Sequence, residues 1–369
     1  MNVLIFPTSD RLGLASAIAH YNKLGHKVHV PKHGTLGLDW STGAQWPALL
    51  CLDPDSGKRN LELHGLRKEG AFFGEDAFIE VQNIPTSKDV PLVRICSEEE
   101  IADTEINIYH TLRGGENHLL HYKSLMEKKK AVWVSSTVNA WEDKPGGLSP
   151  RNVAKILPAR YESTKYENSF NMWCLDIEYD LFSLSKEEQN RQKCFASFNH
   201  NFHVRQPDDY DLFCKMNEIL SKKGIQKVTN YGGNIRAMGA DIRYSNGGPV
   251  GNYETLSPIE TIKKYKTLTG VVHFKQTDWG GGVFFHSLFS HTPVVTTRRY
   301  VEKSNSGKYL VDGVNSIHIS SPEEAANSIE RLLDEKEFSK LSAGMKDMKN
   351  SLINEAYWEG WRSFLEKVS

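Results

Sequence analysis

Residues 271–295 constrain the fold of this chain more than any other segment. They read VVHFKQTDWGGGVFFHSLFSHTPVV, which predicts an apolar strand, a glycine turn, an apolar helix and a second strand. Gly280, Gly281 and Gly282 carry no side chain that would keep a ligand from the backbone N–H groups. The helix that follows directs its positive end to the same place. A turn of this kind suits a phosphate or a diphosphate.

The chain is long enough for two domains, because 369 residues exceed one ordinary hydrophobic core. In the first half, VLIF, LASAIAHYNKLG and HKVHV read as strand, helix and strand, with Gly25 as the helix C-cap. PALLCL, PLVRIC, INIYH and AVWVSS read as further strands, and ENHLLHYKSLMEKKK reads as a helix. We therefore predict an α/β domain with a parallel, Rossmann-like sheet. Residues 141–179 show no pattern that assigns secondary structure.

The second half repeats this alternation after the polar segment SLSKEEQNRQK. CFASFN, KVTNYGG and VVHFK read as strands, DYDLFCKMNEILSKKG as a helix capped by Gly224, and SPIETIKKYK as a helix that starts at Ser257. We predict a first domain at 1–185, a second at 186–350 and a final helix at 351–369.

Composition excludes several classes of protein. A formal net charge of -1 gives no overall attraction to nucleic acid. The five cysteines lack paired spacing, which argues against a disulfide framework or a zinc site. No apolar run approaches the roughly 18 residues of a membrane span, and the start MNVLIFPTSD lacks the basic lead-in of a secretion signal. We expect a soluble, cytoplasmic protein without a transmembrane segment.

The order of elements in 271–295 resembles the donor-binding segment of retaining glycosyltransferases with the GT-B fold, of the glycogen-synthase and group 1 type. The resemblance implies two Rossmann-like domains facing a central cleft, with the C-terminal helix crossing back to the first domain. It also implies a nucleotide-sugar co-substrate, UDP- or GDP-linked, with no other cofactor and no metal. In this family an acidic residue precedes the glycine turn, and a glutamate eight positions later binds the nucleotide ribose. Here these positions hold Asp278 and His286, and an imidazole can also bond a ribose hydroxyl.

Two cations are candidates to stabilise the leaving diphosphate, which gains negative charge in the transition state. Arg205 follows CFASFNHNFHV, where the family carries an arginine. The family's lysine five residues later is absent, because Tyr210 occupies that position. Lys275, at the end of VVHFK, is a possible replacement. For each cation the alternative is an ordinary solvated surface residue.

Three other predicted site positions follow strands. Tyr231 and Gly232 resemble the step beneath the nucleotide base in this family, although a hairpin or helix cap also explains such a turn. Gly13 ends the predicted loop after the first strand, which we expect to hold the acceptor or touch the diphosphate. His110 ends INIYH and resembles the histidine that bonds the donor sugar, with a structural role as the alternative.

Asp53-Pro54-Asp55 imitates the metal-binding DxD of the other large glycosyltransferase fold. It lies in a turn-rich segment without the rest of that fold's pattern, so we interpret it as a coincidence and predict a metal-independent enzyme.

We predict a glycosyltransferase, specifically a retaining hexosyltransferase, that transfers sugar to an acceptor hydroxyl on a glycan, a lipid-linked molecule or a small molecule. One alternative is a phage-type glucosyltransferase acting on a modified DNA base. A nucleotide-sugar epimerase and a catalytically inactive GT-B-like module are the others, the last motivated by His286 and Tyr210. For DNA, the candidate basic residues are Arg151, Lys155, Arg160, Lys165, Arg298 and Arg299.

Overall fold

The chain folds into two compact units, each built on one parallel sheet. The first unit contains Met1–Ser185 and Glu355–Ser369, and the second contains Lys186–Asn354. This computed structural model describes residues 1–6, 11–32, 51–60, 90–111, 132–135, 153–156, 169–170, 191–199, 202–231, 258–276, 282–304 and 306–368.

The first unit contains a seven-stranded sheet in which every pair of neighbours is parallel. Its order is β3-β2-β1-β4-β5-β6-β7, so the direction of strand addition reverses between β1 and β4. The strands are β1 (Asn2–Phe6), β2 (Lys27–Pro31), β3 (Arg94–Cys96), β4 (Ile108–Thr111), β5 (Val132–Ser135), β6 (Val153–Ile156) and β7 (Ser169–Phe170). Among the described residues that precede the second unit, the helices are α1 (Arg11–Lys23) and α2 (Glu98–Asp103).

Several sequence predictions for this unit hold and others fail. Gly25 ends α1 at φ 80°, and the N–H of His26 donates to Tyr21 O over 2.9 Å, which confirms the predicted C-cap. Because α1 begins at Arg11, Gly13 lies in the first helical turn, and its prediction as a loop residue is wrong. Leu52 of PALLCL makes only isolated bridges and joins no sheet strand. β6 and β7 lie within 141–179, where the sequence showed no pattern. The helix predicted from ENHLLHYKSLMEKKK lies outside the described residues.

The second unit contains a five-stranded parallel sheet with the order β12-β11-β10-β8-β9. The predicted strand, helix and strand of 271–295 are confirmed as β10 (Gly270–His273), α6 (Gly282–Phe289) and β11 (Val294–Thr297). The sheet strands are β8 (Phe195–Ser197), β9 (Thr229–Asn230), β10 (Gly270–His273), β11 (Val294–Thr297) and β12 (Ser316–Ile319). The helices in the described part of this unit are α3 (Phe202–Arg205), α4 (Pro207–Lys222), α5 (Pro258–Thr267), α6 (Gly282–Phe289), α7 (Arg298–Lys303), α8 (Pro322–Leu332) and α9 (Glu335–Leu352), with a 3-10 turn at Gly307–Tyr309.

Both faces of the second sheet are buried, as a parallel sheet requires. Val272 packs on one face with Phe213 of α4 and Ile329 of α8. Its neighbour Val271 packs on the other face with Tyr265 of α5. Gly224 follows α4 at φ 71°, and this confirms its prediction as a helix cap.

The last helix, α10 (Glu355–Val368), belongs to the first unit although it directly follows the second. Trp361 is completely buried, with its ring centroid 5.1 Å from His20 and 6.0 Å from Tyr21. The Lys23 ammonium lies 4.3 Å from the Trp358 ring centroid. These contacts dock α10 on α1 and confirm that the terminal helix crosses back to the first unit. Within the described ranges, no helix combines the length and apolar character needed to cross a membrane.

We expect Trp361→Ala to lower the free energy of unfolding of the first unit by about 3–5 kcal/mol, because the indole leaves a cavity between α10 and α1. Calorimetric unfolding measures this, since it resolves the transitions of separate units. Arg362→Ala is the matched control on the same helix, because Arg362 is exposed and its ion pairs with Glu355 and Glu359 lie on the helix surface. Equal losses in the two variants would contradict the docking described here.

Candidate functional site

The candidate site lies at the carboxyl edge of the second sheet, where parallel strands end together. Phe198 follows β8, Tyr231 follows β9 and Lys275 lies two residues beyond β10. β8 is the common neighbour of β9 and β10, so these three positions leave adjacent strands. Residues distant in sequence are therefore brought to one edge.

The helix after β10 begins at Gly282. Gly282 is exposed, and no heavy atom lies within 4 Å of the position that a Cβ would occupy there. An open backbone at the first turn of an eight-residue helix can accept an anion. Asp278, Gly280 and Gly281 lie outside the described residues, so the predicted cradle of three glycines stays a prediction.

Aromatic rings connect two of the predicted site residues. The Tyr231 ring stacks on Phe198 with centroids 5.8 Å apart, and Phe198 stacks on Tyr265 of α5 at 4.4 Å. Tyr265 in turn meets His286 of α6 edge to face at 5.2 Å. The Lys264 ammonium lies 5.4 Å from the Tyr231 ring centroid. The structure thus joins Tyr231 to His286 through continuous ring contacts, while Gly232 lies outside the described residues.

His286 is half-buried in α6, and burial lowers its pKa to about 3. The imidazole is therefore neutral at pH 7 and presents one donor and one acceptor nitrogen. This chemistry fits a hydroxyl partner, and the role in ribose binding stays a prediction.

The two predicted cations occupy different settings. Lys275 is half-buried just beyond β10, and Arg205 is the last residue of α3, with its side chain outside the described part. Tyr210, at the position of the family's lysine, packs its ring against Phe202 and His203 of α3, with centroids 5.6 and 5.9 Å apart. The tyrosine therefore serves the packing of α3 against α4.

His110, the predicted histidine of the first unit, is completely buried in β4. Its Nδ1 lies 3.1 Å from the Tyr21 hydroxyl of α1, and the described residues provide no hydrogen-bond partner for Nε2. Burial, assisted by nearby His20, lowers the pKa of His110 to about 3, so the ring is neutral. This setting matches the structural alternative, and a catalytic role stays a prediction.

Sequence reasoning missed two buried asparagines at the same edge as Tyr231 and Lys275. Asn199 follows β8 and Asn230 ends β9, and they exchange two hydrogen bonds of 2.9 and 3.0 Å. Their signal in the sequence is an amide side chain at the end of one buried strand and another two residues beyond the end of its neighbour.

The aspartates of Asp53-Pro54-Asp55 bond within a turn. Asp53 Oδ1 accepts from the N–H groups of Asp55 and Ser56 over 3.1 and 2.8 Å, and Asp55 pairs with Arg94. Gly57 follows at φ 66°. The interpretation of this segment as a turn is confirmed.

The arginine pair proposed for a DNA groove is engaged within the second unit. Arg299 donates to Asp209 Oδ1 over 2.7 Å, and Arg298 Nε donates to Ser320 Oγ over 3.1 Å. Arg151, Arg160 and Lys165 lie outside the described residues, as does the side chain of Lys155 in β6.

Comparison with known proteins finds no matching family model and no matching curated protein. Solved structures match along the whole chain. The pneumococcal O-GlcNAc transferase GtfA, in complex with UDP and GlcNAc, has a TM-score of 0.55 at 9% identity and covers 100% of this chain and 99% of its own. This chain has the GT-B fold.

Two further GT-B structures match equally broadly. Anabaena HepE, in complex with UDP and glucose, has a TM-score of 0.53 at 11% identity, covering 100% of this chain and 98% of its own. The sucrose-phosphate synthase of Thermosynechococcus elongatus has a TM-score of 0.52 at 11% identity, covering 100% and 99%. At these identities, the shared property is the fold.

The buried His110 predicts an acid-sensitive first unit. Its folded-state pKa of about 3 lies below the ordinary 6.5, so protonation favours the unfolded chain. The stabilisation due to neutral His110 is complete above pH 6.5 and is lost as the pH falls towards 3, by up to about 1.4 kcal/mol per pH unit. Urea unfolding of the wild type between pH 7 and 4 should therefore show a steeper decline than that of His110→Gln. Parallel curves for the two proteins would contradict this assignment.

Proposed function

We propose that this GT-B chain is a glycosyltransferase that moves a sugar from a nucleotide-sugar donor to an acceptor hydroxyl. The observation that supports it is the carboxyl edge of the second sheet, where an aromatic ring, a lysine and the open first turn of α6 follow the ends of adjacent strands. GtfA and HepE, which share the fold, are described in complex with UDP and a sugar. The donor is then a UDP- or GDP-sugar, which serves as co-substrate.

Each candidate residue takes a role that its chemistry allows. Tyr231, with Gly232, lies under the nucleotide base, and the neutral His286 bonds the ribose. The diphosphate binds at Gly280, Gly281 and Gly282, with Lys275 and Arg205 as its cations. Asp278 contacts the donor sugar, and Gly13 of the first helical turn lies on the acceptor side in the first unit. The buried His110 instead joins β4 to α1 through Tyr21.

In the reaction, the bond between the sugar anomeric carbon and the diphosphate oxygen breaks, and the nucleoside diphosphate leaves with the electron pair. The acceptor oxygen bonds to the anomeric carbon, and its proton is released. Lys275, Arg205 and the backbone N–H groups of the glycine turn stabilise the growing charge on the leaving group, as fixed donors do in other enzymes. This assignment makes the enzyme metal-independent. The Asp278 to His286 spacing favours retention of configuration at a hexosyl centre.

A thermal-shift screen with UDP-, GDP-, ADP- and CMP-linked sugars tests the proposal. At a hundredfold excess over its dissociation constant, a ligand of the folded state adds about 2.7 kcal/mol of stability. We expect at least one donor to raise the melting temperature by about 5 °C or more. If none of the four raises it, the proposed function is wrong. Turnover of a bound donor without any acceptor would instead indicate an epimerase, and salt-dependent binding of duplex DNA would indicate a DNA-base acceptor.

Removal of either cation should slow turnover. We expect Lys275→Ala and Arg205→Ala each to lower kcat by about 100-fold, because each removes one fixed donor from the leaving group. Steady-state kinetics with the donor found in the screen measure this. Lys227→Ala is the matched control, since Lys227 is exposed at the opposite end of β9. A variant that keeps the wild-type kcat would remove that cation from the mechanism.

A further inference from the structure

Two buried amides join the ends of three strands next to the candidate donor site. Asn199 is 5% exposed and Asn230 is completely buried. A buried amide costs folding free energy unless its hydrogen bonds are satisfied, so the partners of these side chains show what the two residues hold in place.

The first set of bonds ties β8 to β9. The N–H of Asn199 donates to Asn230 Oδ1 over 2.9 Å, and Asn230 Nδ2 donates to Asn199 O over 3.0 Å. Ser197 and Asn230 form the last paired positions of these two strands. The Asn230 side chain therefore continues the pairing past the end of the backbone ladder.

The second set ties β8 to β10, the strand on its other side. Asn199 Nδ2 donates to Phe274 O over 3.2 Å and to Ser197 Oγ over 3.1 Å. The Asn199 side chain thus bonds the backbone just beyond β10, while the Asn199 backbone is bonded by the side chain of Asn230 in β9.

Two of the residues that make these bonds directly precede candidate donor-binding residues. Asn230 precedes Tyr231, and Phe274 precedes Lys275. Phe198, whose ring supports Tyr231, directly precedes Asn199. The two amides therefore fix the backbone from which the candidate base site and the candidate diphosphate site project.

We propose that Asn199 and Asn230 are positioning residues that set the separation of Tyr231 and Lys275, and with it the fit of a nucleoside diphosphate. This inference rests on the proposed function. A rigid spacing of the two sites reduces the cost of ordering them when the ligand binds.

Asn217 offers a matched control for a merely structural amide. It is completely buried in α4, its Nδ2 donates to Val228 O over 3.1 Å, and its Oδ1 accepts from the N–H of Val228 over 2.8 Å. It therefore makes the same kinds of bond, but at the start of β9 and away from Tyr231 and Lys275.

The test compares Asn199→Asp, Asn230→Asp and Asn217→Asp. Calorimetric titration with whichever of UDP, GDP, ADP and CMP binds the wild type gives the Kd, at a temperature at which every variant is folded. Each Asp change at 199 or 230 replaces a donor by an acceptor facing a carbonyl. We expect these two variants to raise the Kd about tenfold, the effect of roughly one lost hydrogen bond. Asn217→Asp should lower the melting temperature comparably and leave the Kd within about twofold.

A double variant shows whether Asn230 acts through Tyr231. If it does, Asn230→Asp in a Tyr231→Ala background weakens binding little further, whereas independent effects multiply. If the aspartate variants fail to fold, Asn230→Thr and Asn217→Thr replace them, since threonine introduces no buried charge. We again expect a higher Kd for the variant at 230 and a nearly unchanged Kd for the variant at 217.

The outcomes separate the two proposals. If the wild type binds none of the four nucleotides, the proposed function is wrong. Two results would overturn the positioning role alone, provided that the wild type binds one of the nucleotides. One is an equal change in Kd in the variants at 230 and 217, and the other is a double variant in which the two effects on Kd multiply.

Discussion

The parallel direction of every strand is the constraint on which both units depend. Parallel strands require helical connections, so both faces of the sheet are covered and their residues must be apolar. Val271 and Val272 show the result, because consecutive residues of β10 pack into different clusters. The same direction gathers the carboxyl ends of the strands at one edge, where open α/β sheets bind their ligands. Stability and the place of the site therefore have one cause.

The aromatic contacts of the second unit link this edge to the helices that cover the sheet. Stacked and edge-to-face ring pairs each add about 0.5–1.5 kcal/mol beyond the area they bury. Phe198 and Tyr265 are the central members, and each touches one predicted ligand-binding residue. A displacement of Tyr231 would therefore disturb the contact between Tyr265 of α5 and His286 of α6, through the ring of Phe198. The same rings that fill the core hold two candidate ligand contacts in a fixed relation.

The features that could be predicted from the sequence are those set by neighbouring residues, whereas contacts between residues distant in the sequence could not be predicted. β10, α6, β11 and the caps at Gly25 and Gly224 follow from local patterns, namely apolar runs ended by glycine. β6 reads VAKI, in which a lysine interrupts the apolar residues, and β7 has two residues, so neither strand shows an apolar run in the sequence. His110 was found by its place at a strand end, but its hydrogen-bond partner Tyr21 lies 89 residues away in the sequence. Asn199 and Asn230 are separated by 31 residues, and only the folded sheet makes them partners.

The docking of α10 on α1 also affects the order of events during synthesis. The indole of Trp361 covers a surface formed by His20 and Tyr21, which leave the ribosome more than three hundred residues earlier. Until translation reaches α10, these residues lack the contact with Trp361, and the whole second unit is synthesised in the meantime. The first unit to be started is thus the last to be completed.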